Sequence, residues 1–258
     1  MSGLRAVFIV WLRHYAVFRK DIAYGLVTTF VEPLLYLGSF GFGLGQVIGS
    51  IDAGDPAHAQ VPYRAFVLAG LIGQTVLFTA FFEAAYGGFV RMYYQRIFQA
   101  IAVTPLTLSE VLWGELLWSA SRGTVSAAMI LVIGAVLGDF SPWGCLLVLP
   151  VICLAAVLFS AMGMLVAAVS RTIESISYPQ YLLVFPMFLF CGVYFPLAQL
   201  PGWGRAIAAL LPLTALLSLS RTLLLGFGPE WWALPLLLVW TLPVVPWARA
   251  CMRRRVVS

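Results

Sequence analysis

Four ionisable side chains stand where the sequence is otherwise apolar: Glu32, Glu83, Glu115 and Arg122. A charge in hydrocarbon is costly unless it meets protein, water or a partner of opposite sign. The chemistry open to such residues is the relay of an ion, the recognition of a polar substrate group, or plain pairing between helices. Glu32 is followed by Pro33, which also frees the carbonyl four residues back, near Thr29, so a local helix break facing an interface or cavity is expected there. Glu115 and Arg122 lie about two helical turns apart on one face, as parts of one polar network with other helices. A substrate path and a satisfied interhelical network both account for the four residues at this level.

No reaction constellation accompanies them. The motifs of serine hydrolases and zinc peptidases are missing. The four cysteines, Cys145, Cys153, Cys191 and Cys251, form no Cys-x-x-Cys pair, and His14 and His58 lie far from them in sequence. Metal sites need closely spaced ligands, so these thiols read as small buried hydrophobes, and no metal, cofactor or catalytic residue is expected. The only lysine, Lys20, precedes Asp21 and follows no glycine-rich loop. A Walker A motif is therefore excluded, and any nucleotide hydrolysis that drives this protein belongs to another chain.

These residues must be positioned by helices in a bilayer. The chain of 258 residues is 62% hydrophobic and only 10% charged, with a mean hydropathy of +0.98. A soluble domain carries about 25% charged residues, too many for this composition to match. Lys and Arg exceed Asp and Glu, 15 to 10, but they are spread over the gaps between apolar runs, which excludes nucleic-acid binding. Runs long enough to cross about 30 Å of hydrocarbon fall near 23–48, 63–88, 110–137, 144–169, 176–196 and 231–250. A seventh, 203–225, is interrupted by Pro212 and predicts two short half-helices. With the N-terminus in the cytoplasm and six crossings, 11 cations lie inside, including Arg253, Arg254 and Arg255, and only Arg64, Arg205 and Arg221 lie outside. Arg5, Arg13 and His14 break any signal-peptide core, so no cleaved leader is expected.

Two further segments flank the spans. On a helical wheel, Leu4, Val7, Phe8, Val10, Trp11, Tyr15, Val17 and Phe18 fall on one side of 4–20, opposite Arg5, Arg13, Arg19 and Lys20. Only His14 intrudes on the apolar arc. Such a helix lies in the membrane interface, or packs on protein at the cytoplasmic face. After Gly87 and Gly88, residues 89–104 read as a separate cytoplasmic helix, rich in aromatics and arginine and stopped by Thr104 and Pro105. Thr107 and Glu110 have capping-box spacing, so the third span begins there.

The segment ending in Thr104-Pro105-Leu106, the stretch from Gly192 through Phe195-Pro196-Leu197 to Pro201-Gly202-Trp203, Leu211-Pro212-Leu213-Thr214 and Arg221 to Gly226 together resemble the permease subunits of type-2 ABC exporters. Through Phe82-Glu83, Arg91-Met92, Gln95-Arg96 and Gly114-Glu115, the chain resembles in particular the nodulation factor export permease (J subunit) group. The likeness covers nearly the whole chain and implies an all-α integral membrane protein, one permease domain over 1–258. Its parts would be six transmembrane helices, an N-terminal interface helix (4–20), a cytoplasmic coupling helix (89–104) and two re-entrant half-helices on the outer side (198–225). It also implies a homodimer in the cytoplasmic (inner) membrane, with two copies of a cytoplasmic ATPase subunit that holds ATP and Mg. Arg91, Tyr93, Tyr94, Arg96 and Phe98 would contact that ATPase. Phe195, Pro196, Pro201, Trp203 and Pro212 would form the outer gate.

The substrate implied is amphipathic, for example a lipid-linked glycan or lipo-oligosaccharide. Its expected path runs past Glu32, Tyr36, Phe82, Glu83, Tyr181, Phe185 and Phe188, where rings suit stacking on sugars or acyl chains. The outer loop 49–62 is short, with Asp52, Asp55 and His58, so nothing indicates a dedicated glycan site. The alternative is a secondary transporter or channel using Glu32 and Glu83, which predicts repeat symmetry between the halves, not evident here. An intramembrane enzyme is disfavoured by the missing motifs.

Overall fold

A computed structural model describes residues 3–20, 22, 27, 31, 34–52, 60–95, 97, 104–228 and 230–257. The described chain is a bundle of helices: α1 (Gly3–Lys20), α2 (Leu34–Ile48), α3 (Tyr63–Tyr94), α4 (Leu108–Val136), α5 (Pro142–Val169), α6 (177–190), α7 (Gly202–Leu210), α8 (Pro212–Leu225) and α9 (Ala233–Val257). Helices α3, α4, α5 and α9 are long and apolar enough to cross a membrane. The start of the first expected span lies outside the described residues. Helix α6 would cover roughly 20 Å at the usual rise. One departure from an all-α chain is a short antiparallel ladder between Ser50–Ile51 and Val61–Pro62.

Local chemistry explains the starts of α4 and α8. Thr107 accepts from the Glu110 amide, and Glu110 Oε2 receives the Thr107 amide at 2.7 Å, the reciprocal cap expected at the start of the third span. Pro212 opens α8 at an 87° bend from α7, so residues 202–225 form two half-helices, as expected. The bend lies beside Trp240, whose Nε1 donates to Leu210 O. Both ends of the pair return to the side of the bundle that carries the ladder: Ser141 N donates to Leu224 O, and Trp203 packs on Phe190. We call this the ladder end and the opposite one, with Tyr94, Ser170 and Arg253, the basic end.

One expected boundary is corrected. Gly87 and Gly88 do not end the second span; α3 runs on to Tyr94. Gly88 keeps right-handed helical dihedrals, with wide π-type turns at Glu83–Gly87 and Val90–Tyr94 on either side. Phe89 is wholly buried, and its packing carries the helix past a glycine pair that would otherwise weaken it. Arg96, Phe98 and the rest of 98–103 lie outside the described residues.

The ladder end is closed by polar clamps. Arg64 makes a bidentate pair with Asp139 at 2.8 and 2.9 Å. Buried Arg221 of α8 donates to Gly192 O at 2.6 Å and stacks over Phe66 at 3.8 Å. Tyr63 donates to Tyr194 O, and Tyr194 donates to Gln74.

Candidate functional site

At the basic end, α1 lies across α4, burying Ala6, Val10 and His14 on one stripe. Gly114 makes the crossing possible: a Cβ there would stand 2.5 and 2.6 Å from Val10 side-chain carbons. Trp11 Nε1 donates to Ser121 Oγ at 2.9 Å. The amphipathic face is thus divided. One stripe packs on protein, while Leu4, Phe8, Leu12 and Tyr15 stay exposed as an apolar flank.

This docking brings three charged groups, Glu83, Arg91 and Glu115, together with His14. Glu115 is 4% exposed. Its Oε2 accepts from Arg91 Nε at 2.9 Å, and its Oε1 lies 2.9 Å from His14 Nε2. The histidine contact is a close approach without the alignment of a hydrogen bond. Arg91 Nη1 reaches Glu83 Oε1 at 3.0 Å, and Trp118 Nε1 donates to the same oxygen at 3.1 Å. Gly87 lies between Glu83 and Arg91 on their shared helix. An added Cβ would meet Arg91 Nη1 at 2.9 Å and Glu83 Oε1 at 3.1 Å, so the pair closes over it only because it is glycine.

Arg122 does not join Glu115. It stacks over Phe18 of α1, 4.4 Å from the ring centroid. The two share a helix face, but α1 and α3 supply nearer partners to the carboxylate. A cavity of about 400 Å³ opens beside the cluster, lined by Arg13, Glu83, Tyr86, Arg91, Trp118 and Arg122 among others. Arg13 Nη1 is shielded from solvent there without a hydrogen-bond partner. Three guanidinium groups with one lining carboxylate suit an anionic or strongly polar group.

The aromatic residues of the expected path fall along one aromatic ladder. Tyr36 stacks on Phe40 and meets Tyr194 at a tilt; Tyr194 meets Phe188; Phe188 meets Phe78; Phe78 meets Phe82 and Phe185. Tyr181 stacks on Phe185, and Phe82 meets Tyr86, whose hydroxyl donates to Gln180 Oε1 at 2.8 Å. Tyr86 also lines the charged cavity, so the ladder and cavity adjoin. Glu32 lies outside the described residues.

Of the residues expected to meet an ATPase, Tyr93 and Tyr94 are 55% and 61% exposed, whereas Arg91 is turned inward to Glu83 and Glu115. Among the expected gate residues, Pro196 and Pro212 are buried, Phe195 is half-buried, and Pro201 and Trp203 are exposed.

Phe40, Phe78, Tyr194 and Trp118 escaped sequence reasoning, because nothing local separates them from packing residues; Arg13 read only as part of the charged face of 4–20. His14 did leave a signal. A histidine within the apolar arc of an amphipathic helix needs a polar partner on the surface it covers.

Residues 5–225 match the family described as ABC-2 type transporter. The chain belongs to the ABC-2 type transporter family. It is 34% identical over 218 residues to nodulation protein J of Rhizobium meliloti, covering 84% of this chain and 80% of that protein. Nodulation protein J of Bradyrhizobium diazoefficiens is 32% identical over 221 residues, 86% of this chain and 82% of the relative. The inner membrane transport permease YadH of Escherichia coli is 24% identical over 219 residues, 85% and 82% respectively. As an ABC-2 family member, the chain is a multi-pass membrane protein of the permease class.

Proposed function

We propose that this chain is the permease subunit of an ATP-driven exporter and moves an amphipathic, lipid-linked glycan or lipo-oligosaccharide outward from the inner leaflet. The family match over residues 5–225 carries the reading, and the similarity to nodulation protein J suggests the substrate class. The aromatic ladder offers rings to sugars or acyl chains, and the adjoining cavity offers cations to a polar head. Glu32 belongs to the same proposed path. Two copies of the chain would work with two copies of a soluble ATPase that binds ATP and Mg, in the cytoplasmic membrane, with both chain termini inside and six crossings in all.

Drive would enter through 89–104, the end of α3 and the segment after it. Tyr93 and Tyr94 present exposed rings of the kind that anchor interfaces. Arg91, held inward, would couple their movement to α1 and α4 through Glu115. At the other end, the half-helices and Phe195, Pro196, Pro201, Trp203 and Pro212 would form the outer gate. Glu83 already carries Arg91 and Trp118 as partners, which weighs against the rival in which it binds a coupling ion.

The test is reconstitution in proteoliposomes with a candidate Walker A-bearing ABC ATPase as the partner. The complex should hydrolyse ATP and export a lipid-linked glycan, and the chain alone should do neither. Tyr94→Ala with Phe98→Ala should release or uncouple the ATPase while the chain still folds. Normal transport by that double variant would remove the coupling assignment, and nucleotide turnover by the chain alone would sink the permease reading.

A further inference from the structure

A second concavity, of about 520 Å³, lies at the basic end between the start of α4 and the last turns of α9. It is on a different flank of α4 from the charged cluster and shares no residue with the cavity there. Arg249, Arg253 and Arg254 line it, with Ser109, and among the described residues no carboxylate does. The adjacent acid in sequence, Glu110, is committed to the cap at Thr107 and faces α1, its Oε1 3.5 Å from where Gly3 would carry a Cβ.

Arg249 is held in place. Its Nη2 donates to Ser109 Oγ at 2.6 Å, and its guanidinium stacks over Trp113 at 4.3 Å. Its Nε is shielded from solvent and has no hydrogen-bond partner. A fixed cation beside two further cations suits an anion.

The same helix face says what else the ligand carries. Leu242, Pro246, Arg249 and Arg253 follow one another at helical spacing on a single stripe, apolar first and basic last. Leu242 is 72% exposed, so the stripe runs from an open apolar flank into the basic pocket. Basic pockets between transmembrane helices take phosphate-bearing lipid headgroups. We propose that this pocket binds an anionic glycerophospholipid, its phosphodiester on Arg249 and Arg253 and an acyl chain along Pro246 and Leu242. The site stands apart from the transport path and does not depend on the exporter reading.

The experiment is lipid titration of the purified, delipidated full-length chain, read by native mass spectrometry. Phosphatidylglycerol should bind in preference to phosphatidylcholine. Arg249→Gln with Arg253→Gln should weaken phosphatidylglycerol binding roughly thirty-fold and leave phosphatidylcholine unchanged. Arg253→Gln alone, at an exposed position, should shift the same way and serves if the double variant does not purify. Arg249→Lys with Arg253→Lys should retain most of the binding, and Arg205→Gln, at the ladder end, all of it. Equal affinity for the two lipids, or undiminished binding by the Gln variants, overturns the proposal. Displacement of the lipid by millimolar inorganic phosphate would make the ligand a free anion and overturn it too. So would loss of a co-purifying protein from the Gln variants in place of lipid.

Discussion

Glu115 is buried in an apolar helix and is tolerated there because the Arg91 guanidinium of α3 and the His14 ring of α1 both reach it. Arg91 is the hinge of this arrangement, since it answers both Glu115 and Glu83. Removing one member of a buried ion pair leaves the other charge uncompensated, at a cost of about 3–5 kcal/mol. Arg122 carries a different load. Its stacking over Phe18 contributes about 0.5–1 kcal/mol. Arg91→Ala should therefore lower the thermal unfolding midpoint of the detergent-solubilised chain far more than Arg122→Ala. Equal shifts would mean that the cluster does not hold the three helices together.

At the scale of the helix, α1 is an amphipathic segment with two employments. Its exposed flank of Leu4, Phe8 and Leu12 suits the acyl boundary of a membrane, while Ala6, Val10 and His14 lock onto α4. The lock depends on close approach at Gly114. Gly114→Leu should lift α1 away, taking His14 from Glu115 and opening the cavity at Arg13. Hydrogen exchange followed by mass spectrometry should then rise over residues 3–20 and stay unchanged over 142–169. Unaltered protection of α1 would show that its position does not depend on this crossing. Helix α3 illustrates the converse. A glycine pair read as a break is carried through by the burial of Phe89, because tertiary packing outweighs a propensity cost of about 1 kcal/mol per glycine.

For the molecule as a whole, the distribution of cations gives a topology that can be measured. Arg253, Arg254 and Arg255 follow α9 directly, and the positive-inside rule assigns them to the cytoplasm. The half-helices 202–225 begin and end at the ladder end, which leaves the tail on the side opposite the ladder. A cysteine introduced at Ser258, in a chain lacking Cys145, Cys153, Cys191 and Cys251, should resist an impermeant thiol reagent in intact cells. Efficient labelling there would reverse the orientation and remove six crossings with both termini inside.

Sequence alone determined what depends on neighbours along the chain. Hydropathy over twenty residues marked the long spans, Thr107 and Glu110 marked the start of α4, and Pro212 marked the break between half-helices. The cap and the break are set by backbone groups within a turn or two, and the spans by the solvent preference of one contiguous run. The absence of a phosphate loop around Lys20 was legible for the same reason. Tertiary structure decided which charges meet. Arg122 shares a helix face with Glu115, yet the carboxylate pairs with Arg91 and with His14, about a hundred residues away in sequence. It also divided α1 between lipid and protein and ran Tyr36 through Tyr86 into one aromatic ladder. A helical wheel shows which residues share a face; only the packing of one helix against another says what that face meets.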